Sequence, residues 1–381
     1  MVKIINGGVE SNGYLQYNPD YVVPPGETLL ETIEHLSLTQ AELAERTGRP
    51  KKTINEIIKG KASITPETAL QLERVLGVPA SFWNNLELNY REKLAEIEEK
   101  KRMQTELDWL KEIPVNEMIK QDWISGSSIK TEQLKEALRF FGVATVEAWR
   151  ELWKRIIEGH NTFGHIVFRQ SPTYKSEPGA LAAWIRKGQI DSHNIKCKPF
   201  KASEFRKALE NIKNLTKEPP DVFVNEMTSI CSNAGVAVVF VPEMPKSRVN
   251  GATYWLNSQK AVIQLSLRYK TDDHLWFTFF HEARHVLQNK KRDVFLEYNG
   301  LESELEEDAN GYASDFLIPK VEYKKFIDQG NISYSSVQSF AERLNIAPGI
   351  VVGRLQHDKV IPYSHLNNLK RYFKWANDGG V

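Results

Sequence analysis

The stretch WFTFFHEARHVLQ, residues 276–288, constrains the fold of this chain more than any other segment. Aromatic and aliphatic residues recur through it at helical spacing, so the sequence predicts a largely buried helix. His281, Glu282 and His285 lie within that helix. Because unpaired polar groups cost free energy when they are buried, these three side chains need partners inside the protein.

Two histidines four residues apart share one helix face, which lets both imidazoles reach a single metal ion. Glu282 follows the first histidine and can reach a water molecule bound to that ion. The HExxH spacing is therefore typical of a zinc peptidase, in which the glutamate takes a proton from the metal-bound water. The alternative is a core helix whose histidines bond to backbone or carboxylate groups.

A third ligand must come from another element. Gln288 and Lys291 stand where the longer motif HExxHxxGxxH has glycine and a third histidine, so that form is excluded. The acidic stretch ESELEEDAN downstream can supply a carboxylate, and we expect Glu306 to complete a His-His-Glu site for Zn²⁺. Asn310 then lies one turn later and can orient a ligand. The other acidic candidates are Glu302, Glu304 and Glu307.

A longer region around this motif carries a family resemblance. LSLRYKTDDHLWFTFFHEARHVLQNKKRDVFLE, followed by ExxAN and FLIP, resembles the ImmA/IrrE family of metallo-endopeptidases over roughly residues 200–370. The resemblance implies that His281, His285 and Glu306 bind the metal and that Glu282 is the catalytic base. Arg284 departs from the family pattern, which has a small residue there. A bulky cation at that position would repel Zn²⁺ or crowd the substrate cleft, so the motif predicts a metal site more firmly than turnover.

The N-terminal quarter of the chain has the pattern of short helices separated by turns. TQAE at Thr39–Glu42 predicts a capping box, Gly48 ends that helix, and a further helix begins at Pro50. Thr65 and Pro66 open the next helix as cap and first residue. A helix, a glycine-containing turn and a second helix indicate a helix-turn-helix unit. Its predicted inward positions are Leu43, Ala44, Ile54 and Ile57.

A local concentration of positive charge accompanies this unit. Six basic residues lie between Arg46 and Lys61 against the single acid Glu56, although the net charge of the chain is only +1. Neutralisation of phosphates explains such a cluster, and the alternative is a helical bundle with a basic surface. We expect Gln40 to hold a phosphate and Asn55 to read an adenine edge. The predicted DNA contacts are Gln40, Lys51, Lys52, Thr53 and Asn55.

The same region resembles a second family. LTQAELAERTGRPKKTINEIIKGKASITPETALQLERVLGVPASFWNNLELNY is similar to the Xre-type helix-turn-helix of HigA-like antitoxins. The resemblance implies operator binding as a homodimer, often autoregulation, and in some members a toxin partner. Pro50 departs from the family, which commonly has a serine or similar cap at that position.

The length and the change of pattern along the chain predict three domains. Residues 25–90 form the helix-turn-helix domain, residues 91–200 a helical connector, and residues 201–381 the zinc peptidase domain with its C-terminal helices. The predicted fold class is multidomain α+β, with an all-α first domain, a helical middle region and a thermolysin-like (gluzincin) α+β domain that has a small sheet. The predicted strands lie in VAVVFVP, ATYWLN, AVIQLSLR and DVFLEY.

The composition narrows the cellular setting. Cys197 and Cys231 lack CxxC spacing, which predicts neither a disulfide framework nor a thiolate metal site and favours the cytoplasm. The N-terminal stretch has no basic segment followed by an apolar run, and no window approaches about 18 uncharged apolar residues, so we expect neither export nor membrane insertion.

Together these features predict a DNA-binding transcriptional regulator with a zinc-dependent endopeptidase domain. It would cleave a repressor, another regulatory protein or itself. The alternative is a non-proteolytic HigA-like antitoxin or repressor whose C-terminal domain binds a partner or senses a metal. The expected partners are operator DNA, a regulatory protein substrate, a toxin and a second copy of the chain.

Overall fold

The structure, a computed structural model, describes residues 21–157, 162–163, 166–170, 177–247, 249–288 and 301–375. The chain divides into two compact units, residues 1–107 and residues 108–381. The predicted strand in DVFLEY and most of the N-terminal segment lie outside the described residues. The predicted boundary at residue 201 falls within the second unit, and the three-domain division remains a prediction.

The first unit is a bundle of helices. Its described helices are α1 (Pro25–His35), α2 (Gln40–Thr47), α3 (Lys51–Ile58), α4 (Pro66–Leu76) and α5 (Ala80–Thr105). The four predicted inward positions, Leu43, Ala44, Ile54 and Ile57, are buried in one core together with Trp83 of α5. The apolar pattern of the helix-turn-helix thus matches the packing of α2 against α3.

The turn signals of this unit are confirmed. Glu42 N donates to Thr39 Oγ1 at 3.2 Å, and Thr39 N donates to Glu42 Oε2 at 2.8 Å, which completes the capping box. Gly48 follows α2 in the left-handed region with φ of 67°. Thr65 accepts from Thr68 N at 3.2 Å at the start of α4. These caps satisfy backbone groups that helix ends leave unpaired.

The second unit combines one sheet with helices on both faces. Its described helices are α6 (Val115–Lys120), α7 (Lys130–Phe141), α8 (Val146–Ile157), α9 (Pro178–His193), α10 (Ala202–Asn214), α11 (Pro220–Asn233), α12 (Asp272–Gln288), α13 (Leu301–Leu317), α14 (Lys320–Asp328), α15 (Tyr334–Leu344) and α16 (Pro348–His357). Short 3-10 turns lie at Leu107–Lys111, where the two units meet in sequence, and at Leu215–Lys217 and Asn367–Leu369.

The sheet has five strands within the described part of the chain, in the order β1-β2-β4-β5-β3. They are β1 (Thr162–Phe163), β2 (Ile166–Gln170), β3 (Val236–Phe240), β4 (Val249–Asn257) and β5 (Lys260–Leu265). Only the β3 and β5 pair is parallel. The strands predicted in residues 236–268 are confirmed, whereas the helical prediction for the middle region was wrong over β1 and β2. Those short strands depend on pairing with the distant β4, which local spacing does not reveal.

Alternate residues of the sheet contact different helix layers. Ala261, Ile263 and Leu265 of β5 lie in one buried cluster with α10, α11 and α12. On the opposite face, the Gln264 side-chain amide donates to Trp184 O of α9 at 2.7 Å. The sheet is therefore covered by α9 on one face and by α12 on the other, which gives an α/β/α arrangement.

The C-terminal elements hold the start of α12. Asp272 N donates to Arg371 O at 3.0 Å, and Lys370 Nζ pairs with Asp273 Oδ2 at 2.7 Å. A methyl group added at Gly349 of α16 would lie 2.2 Å from Asp272 Oδ1, so glycine permits this close approach. The expectation that the C-terminal helix pair packs against the peptidase domain is confirmed, since α15 and α16 share the core of α12.

Two broader predictions concern fold class and membrane insertion. The helical first unit and the small sheet of the second agree with the predicted α+β class, while the likeness to thermolysin remains a prediction. Among the described helices, none combines the length and the apolar character that crossing a bilayer requires.

Stability should depend on pH through the buried Asp272 carboxyl. Burial, with a contribution from the charge of Asp273, raises the pKa of Asp272 from its ordinary value of 3.8 to about 6. Because its pKa is raised in the folded state, the contribution of Asp272 to stability is fully present below pH ~4 and is lost as pH rises through ~6. The free energy of unfolding of Asp272→Asn should therefore rise relative to that of the wild type by up to about 3 kcal/mol between pH ~4 and ~7.

Denaturant unfolding of both proteins over this pH range measures the difference. The control is Asp358→Asn. Burial alone would raise the pKa of Asp358, but hydrogen bonds led by that of Arg354 lower it overall, so this variant should show the opposite trend. A wild-type minus Asp272→Asn difference that does not vary with pH would contradict this assignment.

Candidate metal centre and nucleic-acid interface

Three predicted ligands converge where α12 and α13 meet. His281 and His285 are buried on α12, and Glu306 is partly exposed on α13. The Nε2 atoms of the two imidazoles lie 3.1 Å apart. Glu306 Oε2 lies 3.3 Å from His281 Nε2, and Glu306 Oε1 lies 3.0 Å from His285 Nε2. The structure thus brings together the His-His-Glu set that the sequence predicts.

Hydrogen bonds at the far side of each imidazole orient the rings. His281 Nδ1 lies 3.1 Å from Asn310 Oδ1, and His285 Nδ1 lies 2.9 Å from Gln288 Oε1. Gln288 Nε2 donates to Leu305 O and to Asp308 Oδ2, which turns its oxygen towards His285. With the proton on Nδ1 held by these contacts, each imidazole would present the lone pair of Nε2 to a metal ion.

The donor set fits a tetrahedral metal ion such as Zn²⁺. Ligand atoms bound at about 2.0–2.1 Å with tetrahedral angles lie about 3.3 Å apart. The two Nε2 atoms lie 3.1 Å apart, and each lies 3.0 or 3.3 Å from one of the two Glu306 oxygens, which is close to that spacing. Two nitrogen lone pairs at 3.1 Å repel each other unless a cation or a shared proton lies between them. An ion would relieve that repulsion and displace the shared proton.

The electrostatics of the three ligands agree with this geometry. Burial alone would raise the pKa of Glu306, but hydrogen bonds from His281 and His285 hold it well below its usual range. Burial alone would lower the pKa of His285, but the Glu306 carboxylate and the Glu282 charge raise it. The site therefore favours bound positive charge.

Glu282 lies between the ligand cluster and the sheet. It is fully buried, and Thr253 Oγ1 of β4 lies 2.8 Å from Glu282 Oε2 and 3.0 Å from Glu282 O. A methyl group added at Gly251 would lie 2.8 Å from Glu282 Oε1, so glycine lets the strand come this close. Burial raises the pKa of the Glu282 carboxyl, and the two imidazoles and Thr253 offset this only in part.

One oxygen of Glu282 remains available. Within the described residues, Glu282 Oε1 has no hydrogen-bond partner although it is buried. A carboxylate held at one oxygen and unpaired at the other can accept a proton in the site. Sequence reasoning missed Thr253, because nothing in the sequence of β4 indicates which residue lies opposite Glu282.

Arg284 is paired with side chains of α13. Its Nε donates to Asp308 Oδ2 at 2.7 Å, and its guanidinium lies over the ring of Tyr312 at 5.2 Å from the centroid. The sequence predicts that the Arg284 cation repels the ion or crowds the cleft. In the structure its guanidinium is instead paired with Asp308 and lies over Tyr312. Asp308 and Gln288 were also missed from the sequence, because their roles depend on the register between two helices.

The remaining acidic candidates lie outside the cluster. Glu304 and Glu307 are exposed on α13, and the side chain of Glu302 lies outside the described residues. A shallow open groove lies beside the first turns of α12, where His274 and Thr278 line it. Tyr269 also lines this groove and stacks on His274 with ring centroids 4.2 Å apart. Thr278 lies one turn before Glu282 on α12.

The predicted DNA contacts lie together on α2 and α3. Lys51 and Lys52 are exposed in the first turn of α3, and Thr53 and Asn55 are partly buried. Asn55 Nδ2 donates to Gln40 Oε1 at 3.3 Å, so the two amides expected to meet DNA form a pair across the helices. This pair leaves one nitrogen on Gln40 and one oxygen on Asn55 for other partners.

Side chains of α4 hold the guanidinium of Arg49. Its Nε donates to Gln71 Oε1 at 2.7 Å, and its Nη2 lies 3.0 Å from Glu67 Oε2. Both partners belong to α4. Arg49 therefore ties the turn of the helix-turn-helix to α4, and counting it among free phosphate contacts overstates the charge available.

Comparison with known families assigns both parts of the chain. Residues 29–83 match the helix-turn-helix family, and residues 231–356 match the IrrE N-terminal-like domain, a peptidase family. The chain thus carries a helix-turn-helix domain towards its N-terminus fused to an IrrE/ImmA-like peptidase-family domain towards its C-terminus.

Individual relatives cover about a fifth of the chain. The uncharacterized HTH-type transcriptional regulator YddM of Escherichia coli (strain K12) is 29% identical over 86 residues, which are 22% of this chain and 92% of that protein. Virulence-associated protein I of Dichelobacter nodosus is 36% identical over 75 residues, 19% of this chain and 69% of that protein.

Solved structures of two antitoxin-related proteins are also similar. An addiction module antidote protein of the HigA family from Coxiella burnetii is 33% identical with a TM-score of 0.21, covering 22% of this chain and 92% of that one. Pseudomonas aeruginosa antitoxin HigA with the higBA promoter is 28% identical with a TM-score of 0.21, again covering 22% and 92%.

The contact between Thr253 and Glu282 should contribute measurably to stability. Thr253→Val keeps the shape of the side chain but removes the hydroxyl that pairs with a buried carboxyl oxygen. The free energy of unfolding should fall by about 1–3 kcal/mol at neutral pH. Thr253→Ser, which keeps the hydroxyl, is the matched control. Equal stability of wild type and Thr253→Val in denaturant unfolding would contradict the contact.

Proposed function

We propose that this protein is a transcriptional regulator that binds operator DNA through α2 and α3 and cleaves a regulatory protein at a zinc site on α12 and α13. The observation that carries the proposal is the cluster of His281, His285 and Glu306, with Glu282 beside it on α12. The match of this region to a peptidase family supports the same function.

The site residues divide the chemistry among themselves. His281, His285 and Glu306 would hold Zn²⁺, which when bound polarises a peptide carbonyl and acidifies a water molecule. Glu282 would take the proton of the attacking water at its unpaired oxygen and pass it to the leaving amine. Thr253 would hold the other oxygen of Glu282 and keep the base aimed at the site.

The regulatory role rests on the helix-turn-helix. Lys51 and Lys52 would neutralise phosphates, Thr53 would lie against the backbone, and the Gln40 and Asn55 pair would present one donor and one acceptor to base edges. One relative carries the name of an HTH-type transcriptional regulator. A repressor protein, or this chain itself, is the proposed substrate.

Further parts of the proposal concern assembly and location. We propose that the DNA-binding form is a homodimer, in keeping with the symmetry of most operators. A toxin is proposed as an additional partner. Because a regulator of transcription acts where the DNA is, we propose that the protein is cytoplasmic.

Substitutions of Glu306 and Glu282 should affect zinc binding and turnover differently. Glu306→Gln removes a ligand and should lower bound zinc well below one ion per chain, whereas Glu282→Gln should keep zinc. Loss of the general base should reduce cleavage by about 10²–10⁴-fold. Metal content is measured by mass spectrometry of the purified protein, and cleavage by sequencing the new ends formed in a proteome-derived peptide library.

The exposed neighbour Glu307 provides the matched control, and Glu307→Gln should change neither readout. Full cleavage by Glu282→Gln would contradict the proposed mechanism. Zinc binding by the wild type without any cleavage would favour the non-proteolytic alternative, in which the domain senses a metal or binds a partner.

DNA binding should depend on the first turn of α3. Removing two phosphate contacts with Lys51→Ala and Lys52→Ala together should weaken binding and reduce the slope of log affinity against log salt by about 2. The probe is duplex DNA selected from a random library by the wild-type protein. Lys320→Ala with Lys325→Ala on α14 is the control, and an unchanged slope in the α3 variant would contradict the interface.

A further inference from the structure

Glu306 reaches the two imidazoles only in one register of α13 against α12. A slip of one turn would move its carboxylate by about 5.4 Å, far more than the length of a metal–ligand bond. A slip of one residue would rotate it by about a quarter of the helix circumference. The contacts that set this register therefore decide whether a His-His-Glu site exists.

Arg284, Gln288 and Asp308 form a set of such contacts, which we call the clamp. Asp308 Oδ2 accepts from Arg284 Nε at 2.7 Å and from Gln288 Nε2 at 2.6 Å. Arg284 and Gln288 lie one turn apart on α12, so the carboxylate of Asp308 is held at two points along that helix. Gln288 Nε2 also lies 3.2 Å from Leu305 O.

Two residues that are tied to α12 flank Glu306, the proposed third ligand, in the sequence of α13. Leu305 precedes Glu306 and Asp308 follows it by two residues, and both are tied to α12 through Gln288. Through its oxygen, Gln288 also orients His285 at 2.9 Å. One side chain thus connects the alignment of α13 with the orientation of a second ligand.

We propose that Arg284, Asp308 and Gln288 are positioning residues that align Glu306 with His281 and His285 for metal binding. The proposal rests on the zinc site proposed above. On this account Arg284 is a requirement of the site in this chain. A single exposed ion pair contributes little to stability, so the clamp acts through alignment.

Charge and alignment predict opposite effects for Arg284→Ala. The substitution removes a cation near the ion, and electrostatics alone would then tighten Zn²⁺ binding. Loss of alignment would weaken it, because disturbing the groups that orient metal ligands typically costs ~10–100-fold in affinity. The sign of the change therefore distinguishes a positioning residue from a nearby charge.

The test is the affinity of the full-length protein for Zn²⁺, measured by competition with a chromogenic chelator. Arg284→Ala and Asp308→Asn should each bind Zn²⁺ at least ~10-fold more weakly than the wild type. The double variant should lose less than the product of the two effects, because both substitutions break the same contact. Arg284→Lys, which keeps the charge but not the Nε contact, should also bind more weakly.

Arg354 offers a closely matched control. Its Nε lies 2.6 Å from Asp358 Oδ2, and its guanidinium lies over the ring of Tyr323 at 4.7 Å from the centroid. Arg354→Ala therefore removes the same kind of arginine contact from α16, and its Zn²⁺ affinity should equal that of the wild type. Circular dichroism of each variant checks that the fold is retained.

The possible results distinguish a failure of the clamp from a failure of the zinc site or of the proposed cleavage. Unchanged or tighter Zn²⁺ binding by folded Arg284→Ala and Asp308→Asn would overturn the clamp while leaving the zinc site intact. A wild-type protein that binds no Zn²⁺ would overturn both. Zinc binding that depends on the clamp in a protein without proteolytic activity would support the clamp and contradict only the proposed cleavage.

Discussion

The second unit depends on how two buried imidazoles on one helix are satisfied. The Nε2 atoms of His281 and His285 face each other across 3.1 Å inside the protein. Such an arrangement costs free energy unless positive charge and a carboxylate complete it. Glu306 supplies the carboxylate, which is why α13 must cross α12 at this point. The need to satisfy these groups therefore ties the packing of the helices to the chemistry of the site.

Strand β4 and the C-terminal residues of the chain hold α12 in place. Gly251 lets β4 approach α12 closely, and Thr253 of the same strand contacts Glu282. At the start of α12, Lys370 and the backbone of Arg371 hold Asp273 and Asp272. A helix fixed along one face and at its first turn presents its functional side chains with little freedom, which a catalytic or metal-binding site requires.

The sequence predicts those features that depend on spacing within one element. Helical spacing placed His281 and His285 on one face, and the capping box at Thr39 located the start of α2. Features that depend on contacts between elements were missed or misjudged: β2 pairs with the distant β4, and Arg284 pairs with Asp308 across two helices. Glu306 was an exception, because the HExxH motif calls for a third ligand and the following acidic helix offers only a few carboxylates.

The central claim is that His281, His285 and Glu306 bind one Zn²⁺. X-ray absorption spectroscopy at the zinc edge of the purified full-length protein tests it directly, because it reports the identity and distance of the ligand atoms. The account predicts two imidazole nitrogens and carboxylate or water oxygens at about 2.0–2.2 Å, with no sulfur. A spectrum with sulfur at about 2.3 Å, or with six water oxygens and no imidazole, would contradict it.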